Sequence, residues 1–152
     1  MLTTRRLDIA EARLALQAAA ERADEIGVPM CTAVVDDAGV LIAFERMDGG
    51  KVSSVSIAID KAFTAAAARN PTAFYGDESN PKSPTWRIKG TNDGRFNVIG
   101  GGLPVVVDGA VVGGVGVSSG TAQQDEDVAQ AAVSALLEQL QGAVDGAHGS
   151  SR

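Results

Sequence analysis

Lys61 stands in the middle of a run of small apolar residues, SSVSIAIDKAFTAAAAR over positions 53–69, with Asp60 beside it. An ammonium in such surroundings is either a proton-moving or ligand-binding group or a solvated charge on the polar edge of a helix. Asp125, in Thr121-Ala-Gln-Gln-Asp-Glu-Asp127, is the second candidate for proton transfer. Between them, Lys61 and Asp125 could serve isomerase, tautomerase or lyase chemistry on a small carbonyl or carboxylate metabolite. Arginine or backbone N–H groups would then stabilise an enolate. Arg46 and Asp48 sit beside Gly49 and Gly50 at the end of an apolar run. There they are placed to hold an anionic ligand, or to pair with each other or with an acidic turn. Arg87, Lys89 and Arg95 make 87–95 the most basic part of an acidic chain. Trp86, the only tryptophan, and Tyr75 are candidates to line a small-molecule pocket or to anchor an interface.

The missing residue types narrow the chemistry as much as those present. The only histidine is His148, in a stretch without periodicity, and the only cysteine is Cys31. No zinc-ligand spacing, Ser-His-Asp set or phosphate-cradling P-loop is present, so no metal site is expected. A formal charge of −6 argues against nucleic-acid partners and against an anionic membrane surface. No run approaches the length of a membrane span, and the charged, amphipathic N-terminus lacks an apolar signal core. A lone cysteine in a strand context points to a structural thiol and a reducing compartment, hence a cytoplasmic protein.

The elements that must position these residues can be read in order. Residues 4–26 keep helical spacing through Ile9, Ala12, Leu16, Ala20 and Ala23, with a start signal at Asp8-x-x-Glu11 and a stop at Gly27. Residues 30–36 and 40–46 read as strands joined through Gly39. A second helix starts at Ser53 or Ser54 and runs to about Arg69, ending before Asn70-Pro71. Residues 71–75 read as one short turn. The long segment 76–92 is irregular and so either functional or packed across a partner. Residues 95–99 read as a short strand feeding Gly100-Gly101-Gly102.

The clearest local signal follows. Leu103–Val107 and Ala110–Val117 are β-branched runs joined by Asp108-Gly109, a type I′ hairpin signature. Gly113, Gly114 and Gly116 inside the second run mark close approach of another backbone, a helix or a ligand. A dinucleotide fingerprint is rejected there, because the glycines lie within the strand and no second parallel strand follows the helix. Thr121 and Gln124 form a capping box for a last helix to about Gln141. Its wide apolar stripe predicts burial on two sides and oligomer packing. Residues 1–141 thus read as one α+β domain and 142–152 as a disordered tail.

Several segments together resemble the GlcG/HbpS (haem-degrading domain) family, which also includes the C-terminal domain of PduO-type cobalamin adenosyltransferases. They are Val35-Asp-Asp-Ala-Gly39, Phe44-Glu-Arg-Met-Asp-Gly49, Ile57-Ala-Ile-Asp-Lys-Ala62, Asn70-Pro-Thr72, Gly94-Arg-Phe96, Gly100-Gly-Gly-Leu-Pro104, Gly114-Val-Gly-Val-Ser118, Gly120-Thr121 and Gln124-Asp125. The resemblance spans roughly residues 5–141. It implies a five-stranded antiparallel sheet flanked by helices in a profilin-like arrangement, and homo-oligomers from dimers to octamers. It implies haem or a corrinoid as ligand. Haem coordination in the family is usually attributed to histidine, whereas the part expected to be ordered here has none and offers at most a weak oxygen ligand such as Thr121. The family's recurring residues carry over as Arg46, Asp48, Lys61, Arg95, Gly100, Gly101, Gly102, Gly116, Ser118, Gly120, Thr121 and Asp125.

Three functions remain open on these grounds. One is a cytoplasmic homo-oligomeric binding protein holding a small molecule through Arg46, Arg95 and the triple glycine. The others are a cofactor-free enzyme using Lys61 or Asp125, and an assembly subunit.

Overall fold

A computed structural model describes residues 1–76 and 80–149. Helix α1 (Ile9–Ile26) begins at an Asp8/Glu11 capping box and ends at Gly27, in the left-handed conformation at φ 72°. Strands β1 (Cys31–Asp36) and β2 (Leu41–Arg46) form the first hairpin. The Asp36 carboxylate accepts the N–H groups of Ala38 and Val40 at its turn. Helix α2 (Ser54–Ala68) follows, with Ser53 preceding it but making no side-chain cap bond. Strands β3 (Gly102–Val107) and β4 (Ala110–Ser118) form the second hairpin, with Asp108 and Gly109 both at positive φ as a type I′ turn requires. Helix α3 (Ala122–Gly149) closes the described chain. It continues past Gln141, so the backbone shows no break where the tail was expected to begin. Residues 150–152 of that tail lie outside the described residues.

The sheet has the order β2-β1-β4-β3 and is antiparallel throughout. It has four strands where five were expected, and residues 95–99 account for the difference. Asn92, Asp93 and Gly94 all take positive φ, and Arg95 is helical in its dihedrals. The Asn97 N–H goes to the Thr64 hydroxyl, and the Ile99 N–H goes to the Asn97 side chain. Side chains have taken the backbone donors that a fifth strand would need for its ladder.

Helices lie on both faces. On one, α1 and α3 pack together over Met30, Val34, Val115 and Val117. On the other, α2 alone covers Cys31, Ala33 and Val35. The period-2 alternation of β1 and β4 divides these residues between the two cores. The α2 side also explains two of the glycines of β4, Gly114 and Gly116, whereas a side chain at Gly113 would meet the Val35 carbonyl of β1 and Leu7. A methyl group on Gly114 would lie 2.7 Å from the Ala62 carbonyl oxygen, and one on Gly116 would strike the backbone of Ala58 and Ala62. These glycines let a helix backbone settle onto the strand. No helix among the described residues is long and apolar enough to cross a membrane.

Candidate functional site

The edge of the sheet formed by the end of β4, the start of β1, the end of β2 and the start of β3 gathers most of the residues singled out above. Its centre is Lys61. The side chain is 1% exposed, not solvated on a polar edge. Its ammonium donates to the Val117 carbonyl at 2.9 Å and to Asp125 Oδ2 at 2.8 Å. Asp125, 3% exposed, accepts the Gly120 N–H on its other oxygen at 2.9 Å. One ion pair therefore ties α2, β4 and the first turn of α3 together. Paired and hydrogen-bonded on both sides, it meets the condition under which charges are tolerated in a core.

The triple glycine wraps this pair. Gly101 holds φ at 123°, and a methyl group there would lie 2.7 Å from Asp125 Cβ and 2.9 Å from Lys61 Nζ. At Gly102 it would lie 2.5 Å from the Lys61 carbonyl and from Thr72 Cγ2. The Gly101 carbonyl accepts the Val117 N–H, and the Gly102 N–H goes to the Thr72 hydroxyl. Thr72 also donates to the Ile99 carbonyl at 2.6 Å. Thr72 and Thr64 are site-building residues that the sequence reading passed over. The only signal for Thr72 was its place after Asn70-Pro71.

The other candidates have separate fates. Ser118 is buried and donates to the Ser54 hydroxyl. Ser119, the next residue, takes φ 122° and accepts the Lys51 N–H. The Thr121 hydroxyl accepts the Gln124 N–H while Gln124 accepts the Thr121 N–H, the expected capping box. Arg95 stacks over the Phe63 ring at 3.9 Å and pairs with Asp60 at 3.3 Å. Arg46 and Asp48 are both exposed at the same end of the sheet, and among the described residues no ion pair joins them. Trp86 is exposed, with the Arg87 guanidinium 5.2 Å from its ring centre. Cys31 is buried in the sheet, and that burial pushes its thiol pKa up, opposed by Ser119 and Arg46.

On the far side of the Gly100–Gly101 backbone from Lys61 lies an open cleft of about 840 Å³. Its walls are Ala73, Gly76, Val98, Ile99 and Gly100 on one side and Ala122, Gln123, Glu126, Asp127 and Gln130 on the other. The α3 residues recur at helical spacing, so they form one face of that helix. Glu126 Oε2 lies 3.0 Å from where a Gly100 side chain would begin. Asp127 is held by Arg22, with contacts of 2.8–3.3 Å. That bond, with the one to Glu25, raises the Arg22 pKa still further above its ordinary range.

Among the described residues no group of three or more His, Cys, Asp or Glu side chains is clustered to hold a metal. Gly100 is the one predicted ligand-binding residue that lines this cleft. Gln123, Glu126, Asp127 and Gln130 were not singled out beforehand.

Comparison with known proteins matches the motifs. An uncharacterised 15.0 kDa protein of Citrobacter freundii, from the dhaT-dhaS intergenic region, is 38% identical over 132 residues, covering 87% of this chain and 93% of the relative. The crystal structure of Klebsiella pneumoniae protein ORFY superposes with a TM-score of 0.87 at 33% identity, covering 90% of this chain and 94% of the other. The crystal structure of a PduOC:haem complex superposes with a TM-score of 0.81 at 32% identity, covering 86% and 94%. Residues 7–134 match the family described as haem degrading protein HbpS-like, and the chain belongs to that family.

Proposed function

We propose that this chain is a small-molecule-binding protein, acting in the cytoplasm as a homo-oligomer, and that its ligand occupies the cleft between Val98–Gly100 and the first turns of α3. The observation that carries this reading is the cleft itself. It combines an apolar wall with a few convergent polar groups, as ligand sites commonly do. Membership of a family whose relative PduOC was crystallised with haem supports a small organic ligand. Exposed Phe74, Trp86 and Ile99, together with two sheet edges that carry no further strand, support self-association.

Haem and a corrinoid are the ligands the family resemblance brings forward. Haem iron is held by histidine, cysteine, methionine or tyrosine side chains. None of these lines the cleft among the described residues. Cys31 and Met30 are buried in the cores, and the Tyr75 hydroxyl accepts a hydrogen bond from Asn70. Thr121 is engaged as a helix cap. The cleft also presents carboxylates where haem propionates would need cations. These residues do not fit an iron-coordinated haem. The enzyme reading fares no better, because Lys61 and Asp125 are buried against each other behind Gly101 and have no contact with the cleft.

The test is amide-shift mapping of the ¹⁵N-labelled protein with a mixed panel of small amines, carboxylates, carbonyl compounds and planar tetrapyrroles. Saturable shifts clustered at Val98–Gly100 and Ala122–Gln130 are expected. Saturable shifts that cluster elsewhere, or none at all, would overturn the reading.

A further inference from the structure

We infer that the cleft selects a ligand bearing a protonated amine, with Glu126 as its counter-charge, and discriminates against carboxylates and phosphates. This rests on the cleft being the binding site, as proposed above, and goes on to name the ligand class. Among the described residues two carboxylates reach the cleft, and they are in different states. Asp127 is neutralised by a two-point contact from Arg22. Glu126, its neighbour, is half-buried and has no hydrogen bond or ion pair among the described residues. No lysine, arginine or histidine is among the lining residues. Among the described lining residues Glu126 is therefore the one carboxylate without a counter-charge, and it stands beside apolar walls.

Glu126 follows directly on the first turn of α3, whose own acidic residue is Asp125. It faces Gly100, whose lack of a side chain leaves its oxygen uncovered on that side. An ammonium placed there would make a charge-assisted hydrogen bond, which is shorter and stronger than a neutral one. The apolar body attached to it would lie on Val98, Ile99 and Ala122. An anion in the same place would meet Glu126 with no compensating cation.

Benzylamine, benzyl alcohol and benzoate provide a matched set of probes, differing in the charge of one group on a common apolar ring. Each is titrated into the full chain and followed by amide shifts at Ile99, Gly100, Gln123 and Glu126. Benzylamine is expected to bind at least tenfold more tightly than benzoate, with affinity falling as ionic strength rises. The Glu126→Gln variant should lose about tenfold for benzylamine and leave benzyl alcohol unchanged. Benzoate binding equal to benzylamine, or benzylamine binding unaltered in the variant, would overturn the charge assignment alone. Absence of shifts from all three probes would overturn both this assignment and the cleft as a binding site. An unchanged amide spectrum of the Glu126→Gln protein without ligand shows that the variant is folded.

Discussion

Asp125 and Glu126 are neighbours in sequence, both carboxylates near the start of the same helix, yet they occupy opposite environments. Asp125 turns inward, is 3% exposed, and has both oxygens bonded, to Lys61 and to the Gly120 N–H. Glu126 turns the other way, towards the cleft and Gly100, with no hydrogen-bond or ion-pair partner among the described residues. One residue's step of about 100° around a helix separates a charge that holds the fold from a charge that faces the open cleft. The same backbone, Gly100–Gly101, lies between them. Gly101 and Gly102 face the inner side, where Lys61, Asp125 and Thr72 leave no room for a side chain, and Gly100 faces the cleft.

The strongest way to break this contrast is to remove half of the buried pair. Lys61→Met should cost about 3–5 kcal/mol, because Asp125 is left charged in the core. For a chain of this size that corresponds to a melting point lower by roughly 10 °C, measured by calorimetry. The double variant Lys61→Met/Asp125→Leu should recover only part of the loss, since the Gly120 N–H then has no acceptor. A loss below about 1 kcal/mol for Lys61→Met would mean the pair is not needed to join α2 to α3.

Gly101→Ala tests the shared backbone. At φ 123° and with 2.7 Å to both Asp125 Cβ and the Val117 carbonyl, a methyl group meets both strain and collision. A destabilisation of about 1–3 kcal/mol in urea unfolding is expected. Gly27 is a useful control. Its φ is also positive, but nothing lies within 4 Å of an added methyl, so Gly27→Ala should report the backbone cost alone.

Cys31 sharpens the comparison on the neighbouring strand. Burial raises its thiol pKa, so the unfolded chain releases the proton first. Between the two pKa values the folded chain binds more protons, and stability falls as pH rises past about 8.5, the ordinary thiol value. It levels off above the raised folded value. Unfolding curves from pH 7 to 10 should show this loss in the parent and lack it in Cys31→Ala. Alkylation of Cys31 by iodoacetamide at pH 8 should be slow in the folded protein and fast in urea.

Glu126→Gln should give the smallest effect on stability, within about 0.5 kcal/mol by urea unfolding. A loss comparable with that of Asp125→Asn would show that the two carboxylates are not divided between fold and cleft as described.

Much of this was legible beforehand where the causes are local. Asp8 with Glu11, Gly27, the Asp108-Gly109 turn and the Thr121/Gln124 box all have their predicted form, because each depends on a few adjacent dihedrals and bonds. The close approach expected at the glycines of β4 is to helix α2 at Gly114 and Gly116, and to the β1 backbone and Leu7 at Gly113. The fifth strand was not found because Thr64, 33 residues away from Asn97, supplies an acceptor that only folding brings there. Lys61 was harder still. Its helix is apolar on most sides, so periodicity could not say whether an ammonium at that position would reach solvent.

By itself, then, the sequence determined the helices, the two hairpins, the close contact at Gly114 and Gly116, and, through its scattered motifs, the family. Those depend on short-range dihedral preferences, side-chain period and the sheer absence of Cβ atoms. Only the tertiary structure decided that Lys61 and Asp125, 64 positions apart, form a buried pair, that Arg95 is spent on Phe63 and Asp60, and that Glu126 is left facing a cleft. Pairing across such distances depends on how α2 and α3 seat against the β4 strand between them. That seating is fixed by the whole core at once and by no segment of it alone.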